Sequence, residues 1–114
     1  MNRDMETRTI HKYHLPFGDA IEVQMPAGAE ILAFAPQGDE PGNLFLWALV
    51  NPINPWEIRR FVLRGTGHPI DDGSVSKATH VGTVQDGPFV WHLFERHGYV
   101  VEALAGAASS EKGD

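Results

Sequence analysis

Phe61-Val62-Leu63-Arg64-Gly65-Thr66-Gly67-His68-Pro69-Ile70 is an apolar strand that runs into a turn. Phe61 and Leu63 point one way, and Ile58, Arg60, Val62 and Arg64 the other, the period of two that marks a strand with one face on a core. Gly65 and Gly67 tolerate positive φ, so successive backbone N–H groups can converge on an anion. Thr66 and His68 add side-chain donors, and Arg64, with Arg60 two residues back on the same face, supplies charge. Pro69 keeps His68 extended and so sets the direction of its ring. The same residues also make a plain strand-to-loop turn that binds nothing. Composition leaves both readings open.

On either side of this stretch the pattern repeats. Arg8 to Leu15 alternates, with Ile10 on one side and Tyr13 and Leu15 on the other. Pro16-Phe17-Gly18-Asp19 is a turn, and Ile21, Val23 and Met25 then share a face opposite Glu22 and Gln24. Glu30 to Ala35 is a third strand, followed by the polar Pro36–Asn43 loop, which reads as a mobile tip. Leu44-Phe45-Leu46-Trp47-Ala48-Leu49-Val50 is apolar on both faces, and so is Pro88 to Phe94. Such runs imply cover on both sides. Ala78 to Gln85 is a further strand, with Val81 and Val84 on opposite faces, joined to the next by the hairpin signal Asp86-Gly87. Gly98 to Leu104 predicts a last strand or a short C-terminal helix. The expected architecture is all-β and mainly antiparallel, a small sandwich or open barrel of about seven strands. Residues 8–96 make a single domain and residues 97–114 a partly flexible extension.

The totals agree. The 114 residues suffice for one domain, and 42 % hydrophobic composition predicts a packed core. Twelve glycines and eight prolines suit short strands joined by turns. With no cysteine, disulfides and thiolate metal sites are excluded, and a reducing, cytoplasmic setting is expected. The first residues carry no apolar export segment, and no run approaches a membrane span. A formal charge of −6 argues against long nucleic acids, whose binding needs clustered cations. Arg59, Arg60 and Arg64 concentrate positive charge beside the Gly65–His68 turn, which favours a small anionic ligand; a solvated strand face accounts for them equally well.

Catalytic chemistry has no signature. The six histidines do not fall at metal-ligand spacing: His11 and His14 diverge on a strand, His92 and His97 have opposite parity, and no HExxH is present. No metal and no cofactor are expected. Ser74, Ser76, Ser109 and Ser110 lie outside any nucleophile elbow. Gly65-Thr66-Gly67 lacks the lysine and spacing of a P-loop. Asp71-Asp72 reads as a solvated turn. Trp47 and Trp91 are expected in the core, whereas Trp56, after Asn54-Pro55, is a candidate for stacking on a base or sugar or for packing at the core edge.

Lys12-Tyr13, Pro26-Ala27-Gly28-Ala29-Glu30-Ile31-Leu32, Leu46-Trp47-Ala48-Leu49-Val50, Gly65-Thr66-Gly67-His68-Pro69-Ile70, Gly82-Thr83-Val84-Gln85 and Phe89-Val90-Trp91-His92-Leu93-Phe94 occur in this order. In these segments, over residues 9–95, the chain resembles a family of small uncharacterised proteins carried by tailed phages and prophages. The Leu-Trp-Ala-Leu-Val and Gly-Thr-Gly-His-Pro segments are the most specific. A longer Pro36–Asn43 loop and the tail after Arg96 depart from the pattern. The resemblance brings no activity with it. It implies a phage setting, in which a non-enzymatic, oligomeric sponge that sequesters a nucleotide immune signal in the host cytoplasm is the leading expectation. A protein-interaction or structural module of phage origin is the alternative, and a hydrolase acting through His68 the third. Ligand contacts are expected from Trp56, Arg60, Arg64, Gly65, Thr66, Gly67 and His68, with Arg96 as a further candidate beside Trp56 at a subunit boundary.

Because Phe45, Trp47 and Leu49 oppose Leu44 and Leu46 on one short strand, the sequence predicts a homo-oligomer. Light scattering at tens of micromolar should give a mass above that of the monomer; a monomer mass overturns the expectation.

Overall fold

The computed structural model of the protein describes residues 7–18 and 20–97. Seven strands and one short helix follow in order: β1 (Thr9–Leu15), β2 (Ile21–Pro26), β3 (Glu30–Pro36), β4 (Leu44–Val50), β5 (Trp56–Gly65), α1 (Asp72–Val75), β6 (Ala78–Asp86) and β7 (Phe89–Arg96). They form two sheets, β1-β4-β3 and β2-β5-β7-β6, and every paired neighbour is antiparallel. The all-β sandwich expected from the strand periodicities is therefore the fold. The expected strand or helix after Gly98 lies outside the described residues.

The core lies between the sheets. Leu44, Leu46, Ala48 and Val50 of β4 are all buried, one side of a strand whose other side is half-buried throughout. From the second sheet come Ile21, Val23 and Met25, Phe61 and Leu63, and Leu93. Each fully buried Leu or Phe among them contributes roughly 1.5–3 kcal/mol relative to exposure. Val81 and Val84, expected on opposite faces, both pack against this core. The reason is a register shift between His80 and Gly82, which re-aims the chain in mid-strand.

The second apolar face of β4 finds partial cover within its own sheet. The register sets Ile10, Lys12 and His14 beside Leu49, Trp47 and Phe45. Lys12 Nζ lies 4.3 Å from the Phe45 ring centre and bonds Gln37, while His14 meets Phe45 edge-on at 5.4 Å. A lysine stem laid over aromatic rings covers apolar surface and keeps its charge in water. Trp47, expected in the core, thus stands on the outer face.

Between β3 and β6 the sandwich is closed by an ion pair. Arg59 donates through both Nε and Nη2 to the Glu95 carboxylate and through Nη1 to the Ala29 carbonyl at 2.8 Å. Arg59 and Glu95 lie on the inward parity of β5 and β7, beside Phe61, and Glu95 is 7 % exposed. The guanidinium therefore ties the chain entering β3 in one sheet to β7 in the other. Arg60, by contrast, pairs with Glu22 on the outer face, where such a pair adds little.

Glu95→Ala should cost about 3 kcal/mol in urea unfolding, because it takes the bidentate carboxylate from a largely buried guanidinium. Pairing it with Arg59→Met should recover most of that loss. A single variant as stable as the parent shows that the pair does not hold the sheets.

Candidate functional site

Four connections gather at one end of the sandwich: Phe17 and Gly18 after β1, the loop between β3 and β4, the Gly65–His68 turn after β5, and the β6–β7 hairpin at Asp86–Phe89. The Pro36–Asn43 loop, read from sequence as a mobile tip, is tied down there. Asp86, almost fully buried, accepts from the Gly42 N–H at 2.7 Å and from Trp91 Nε1 at 3.3 Å. Gly42 in turn lies against Phe17.

These connections frame a groove of about 540 Å³, lined by Phe17, Gly18, Leu63, Gly65, Trp91 and the Arg64, His68 and Pro69 rim. Phe17 and Trp91 have ring centres 4.9 Å apart, and Phe89 and Trp91 5.7 Å apart. Phe17 and Phe89 are 51 % and 49 % exposed. The result is a continuous three-ring aromatic surface open to solvent.

Gly65 to His68 forms one tight turn, closed by the His68 N–H on the Gly65 carbonyl at 3.1 Å. Gly67 at its third position has φ +89°, the requirement of a type II turn. The Thr66 N–H is bonded to the Val90 carbonyl at 3.2 Å. Two of the donors expected in an anion cradle are therefore spent on the fold. The two side chains also part company. Thr66 Oγ1 meets His92 Nε2 at 2.6 Å on the outer face of the second sheet. The His68 ring lies inward on Gly65, where a Cβ would stand 2.9 Å from its Nδ1 and 3.5 Å from Trp91.

Arg64 lies at the groove with its guanidinium committed to backbone: Nε donates to the Pro69 carbonyl at 3.1 Å and Nη1 to that of Leu63 at 3.0 Å. It braces the turn and leaves a fixed positive charge beside the rings, which is not the open arginine–phosphate fork expected from sequence. Arg60 is held by Glu22. Trp56, 67 % exposed, begins β5 while Arg64 nears its end, about 27 Å away at the rise of a strand. Arg96, opposite Arg60, likewise stands away from the groove. The structure thus brings together Arg64, Gly65 and His68, turns Thr66 to the other face, and separates Trp56 and Arg60.

Phe17, Phe89 and His92 were not read from sequence as site residues, and Trp91, expected in the core, packs against it while also lining the groove. Trp91 and His92 follow from strand parity once Gly65 is set opposite Trp91 and Arg64 opposite His92. Phe17 carries no local signal, since only the packing of the sheets brings it there.

Past the turn, Asp71 caps α1, accepting from the Ser74 N–H at 3.0 Å and hydroxyl at 2.6 Å. The Ser74 side-chain bond, then its backbone bond, hold the Asp71 carboxyl below its usual range, with the charges of Arg64 and Arg96 adding to this. Among the described residues no three His, Asp or Glu converge as metal ligands, and no hydrogen bond is made to the His68 ring.

The comparison with known families bears on the whole of this domain. The chain belongs to the family DUF7352, a domain of unknown function. The match spans residues 6–102, so it takes in all seven strands, the groove and the residues just beyond β7. No curated protein and no solved structure matches the chain. No helix among the described residues is long and apolar enough to cross a membrane.

Gly65→Ala should leave the fold intact and drive the His68 ring off residue 65, because imidazole and Cβ cannot share the space. In acid the Asp71 cap should fail: a carboxyl with a lowered pKa lends stability above its ordinary range and loses it as pH falls through the lowered value. A crystal structure of Gly65→Ala and amide exchange at Ser74 against pH test the two. An unmoved His68 ring, or unchanged protection at low pH, contradicts them.

Proposed function

We propose that this is a non-enzymatic binding domain that takes a small ligand with a planar ring and an anionic group, a nucleotide-like molecule, in the end groove. The three-ring surface of Phe17, Phe89 and Trp91, with Arg64 and His68 at its rim, carries the reading. Half-exposed rings offer stacking to any heteroaromatic base, at roughly 1–3 kcal/mol per base. A guanidinium fixed by carbonyls supplies charge without being ordered on binding, and His68 adds a ring nitrogen. Binding without turnover fits a histidine with no hydroxyl or carboxylate to activate it.

Sequestration of a nucleotide immune signal in a bacterial cytoplasm is the narrower form of this proposal. It draws on the phage-type resemblance of the Leu-Trp-Ala-Leu-Val and Gly-Thr-Gly-His-Pro segments. A second reading, an interaction module or homo-oligomer, is favoured by the outer face of the first sheet. There Ile10 is exposed beside half-buried Leu49, with Trp47 and Phe45 further along the same face.

Incubation with a panel of nucleoside mono- and diphosphates, cyclic dinucleotides and ADP-ribose separates these readings. A ligand retained and recovered intact on denaturation supports sequestration; an altered ligand means an enzyme; no retention favours the interaction module. For whichever nucleotide binds, calorimetry should show about tenfold weaker affinity for Phe17→Ala and for Arg64→Ala, the loss of one stacking or charge contact. Trp56→Ala, at the far end, should bind like the parent. Equal affinity for Phe17→Ala and parent removes the groove from consideration.

A further inference from the structure

The Gly65–His68 turn is gripped from both faces of β7. On the inner face His68 rests on Gly65 beside Trp91. On the outer face Thr66 Oγ1 meets Nε2 of His92 at 2.6 Å. Nδ1 of the same ring meets Thr83 Oγ1 at 3.0 Å, and Thr83 Oγ1 meets His80 Nε2 at 2.9 Å. His80 is itself packed on Phe94, ring centres 5.2 Å apart. Four side chains from the turn, β7 and β6 therefore form one unbroken hydrogen-bonded chain on a face that water reaches.

We propose that His92 and Thr83 are positioning residues for the groove: by holding Thr66 from behind the sheet they fix the turn that sets His68 over Gly65. The inference rests on the groove being the binding site only for its functional meaning; the mechanical coupling stands without it. Both ring nitrogens of His92 are occupied, so the imidazole cannot turn without losing a partner. In the neutral ring one nitrogen donates and the other accepts, and the two hydroxyls take opposite roles: if Thr66 receives, Thr83 gives, and the reverse. Either direction of the chain leaves every bond intact. Thr66 is the only described residue joining this chain to the turn, and just Gly67 separates it from His68. A shift of Thr66 must then pass to His68 through a residue at φ +89°, where the backbone bends sharply.

Solution NMR of the free protein tests this without any ligand. In the parent, the His68 ring protons should show cross-peaks to the Gly65 α-protons, which the ring overlies. Thr66→Val and His92→Phe keep the shape of each side chain and remove its hydrogen bond. Both should lose the cross-peaks while the amide signals of Leu46, Phe61 and Leu93 stay in place, and Thr66→Ser should restore them. Persistence of the cross-peaks in Thr66→Val and His92→Phe overturns the proposal. Where the parent retains a nucleotide, the same variants should bind it about fivefold to tenfold more weakly. If the cross-peaks vanish and the parent retains no nucleotide from the panel, the positioning role holds and the assignment of the groove as a nucleotide site fails.

Discussion

Everything in this domain depends on one face of β4 being buried against the second sheet. Leu44, Leu46, Ala48 and Val50 are sealed by side chains of β2, β5 and β7, of which Phe61, Leu63 and Leu93 are the centre. That contact sets which residues of β5 point inward, hence that Phe61, Leu63 and Gly65 share the inner side of the strand. It sets β7 in the same way, with Trp91 inward and His92 outward. A slip of one residue in either strand would exchange the two faces. The groove and the histidine–threonine chain behind it are therefore two consequences of a single register.

The sandwich is not uniformly apolar: the Arg59–Glu95 pair sits in its interior, where the edge strands β3 and β6 meet. β3 shifts register between Ile31 and Ala33, and β6 between His80 and Gly82, so both edges bend where they approach each other. A cavity of about 340 Å³ remains there, lined by Ile31, Val81, Arg59 and Glu95 among others. The ion pair lines it, making a bidentate contact whose cost of desolvation is offset by the third bond to the Ala29 carbonyl. An arginine suits this position better than a lysine, because a planar fork can serve a carboxylate and a carbonyl together.

At the opposite pole from Trp56, chemistry collects because loops do. Antiparallel strands return their connections to the two ends of a sandwich, and here one end receives an aromatic turn, a glycine turn and a hairpin together. Asp86 makes this end rigid by holding both the β3–β4 loop and the Trp91 indole. Arg64 adds to it by capping two carbonyls.

The strand count, the antiparallel class and the Asp86-Gly87 hairpin could be read from the chain because they follow from local periodicity and turn chemistry, which are properties of neighbouring residues. So could the Gly65–His68 turn itself, since Gly-Thr-Gly-His-Pro constrains its own backbone. What those residues do was settled elsewhere. Thr66 and His68 are two apart in sequence, yet the structure sends one to His92 and lays the other over Gly65. Arg64 was legible as a charge and became a brace once Pro69 folded back on it. Trp56 was legible as an exposed ring, but the ten-residue length of β5 carries it to the far end. Phe17 was written as part of a turn, and only the packing of the first sheet on the second places its ring beside Trp91. Pairing register and sheet packing act over tens of residues, and no local pattern encodes them, so the fold could be read from the sequence while the site required the tertiary structure.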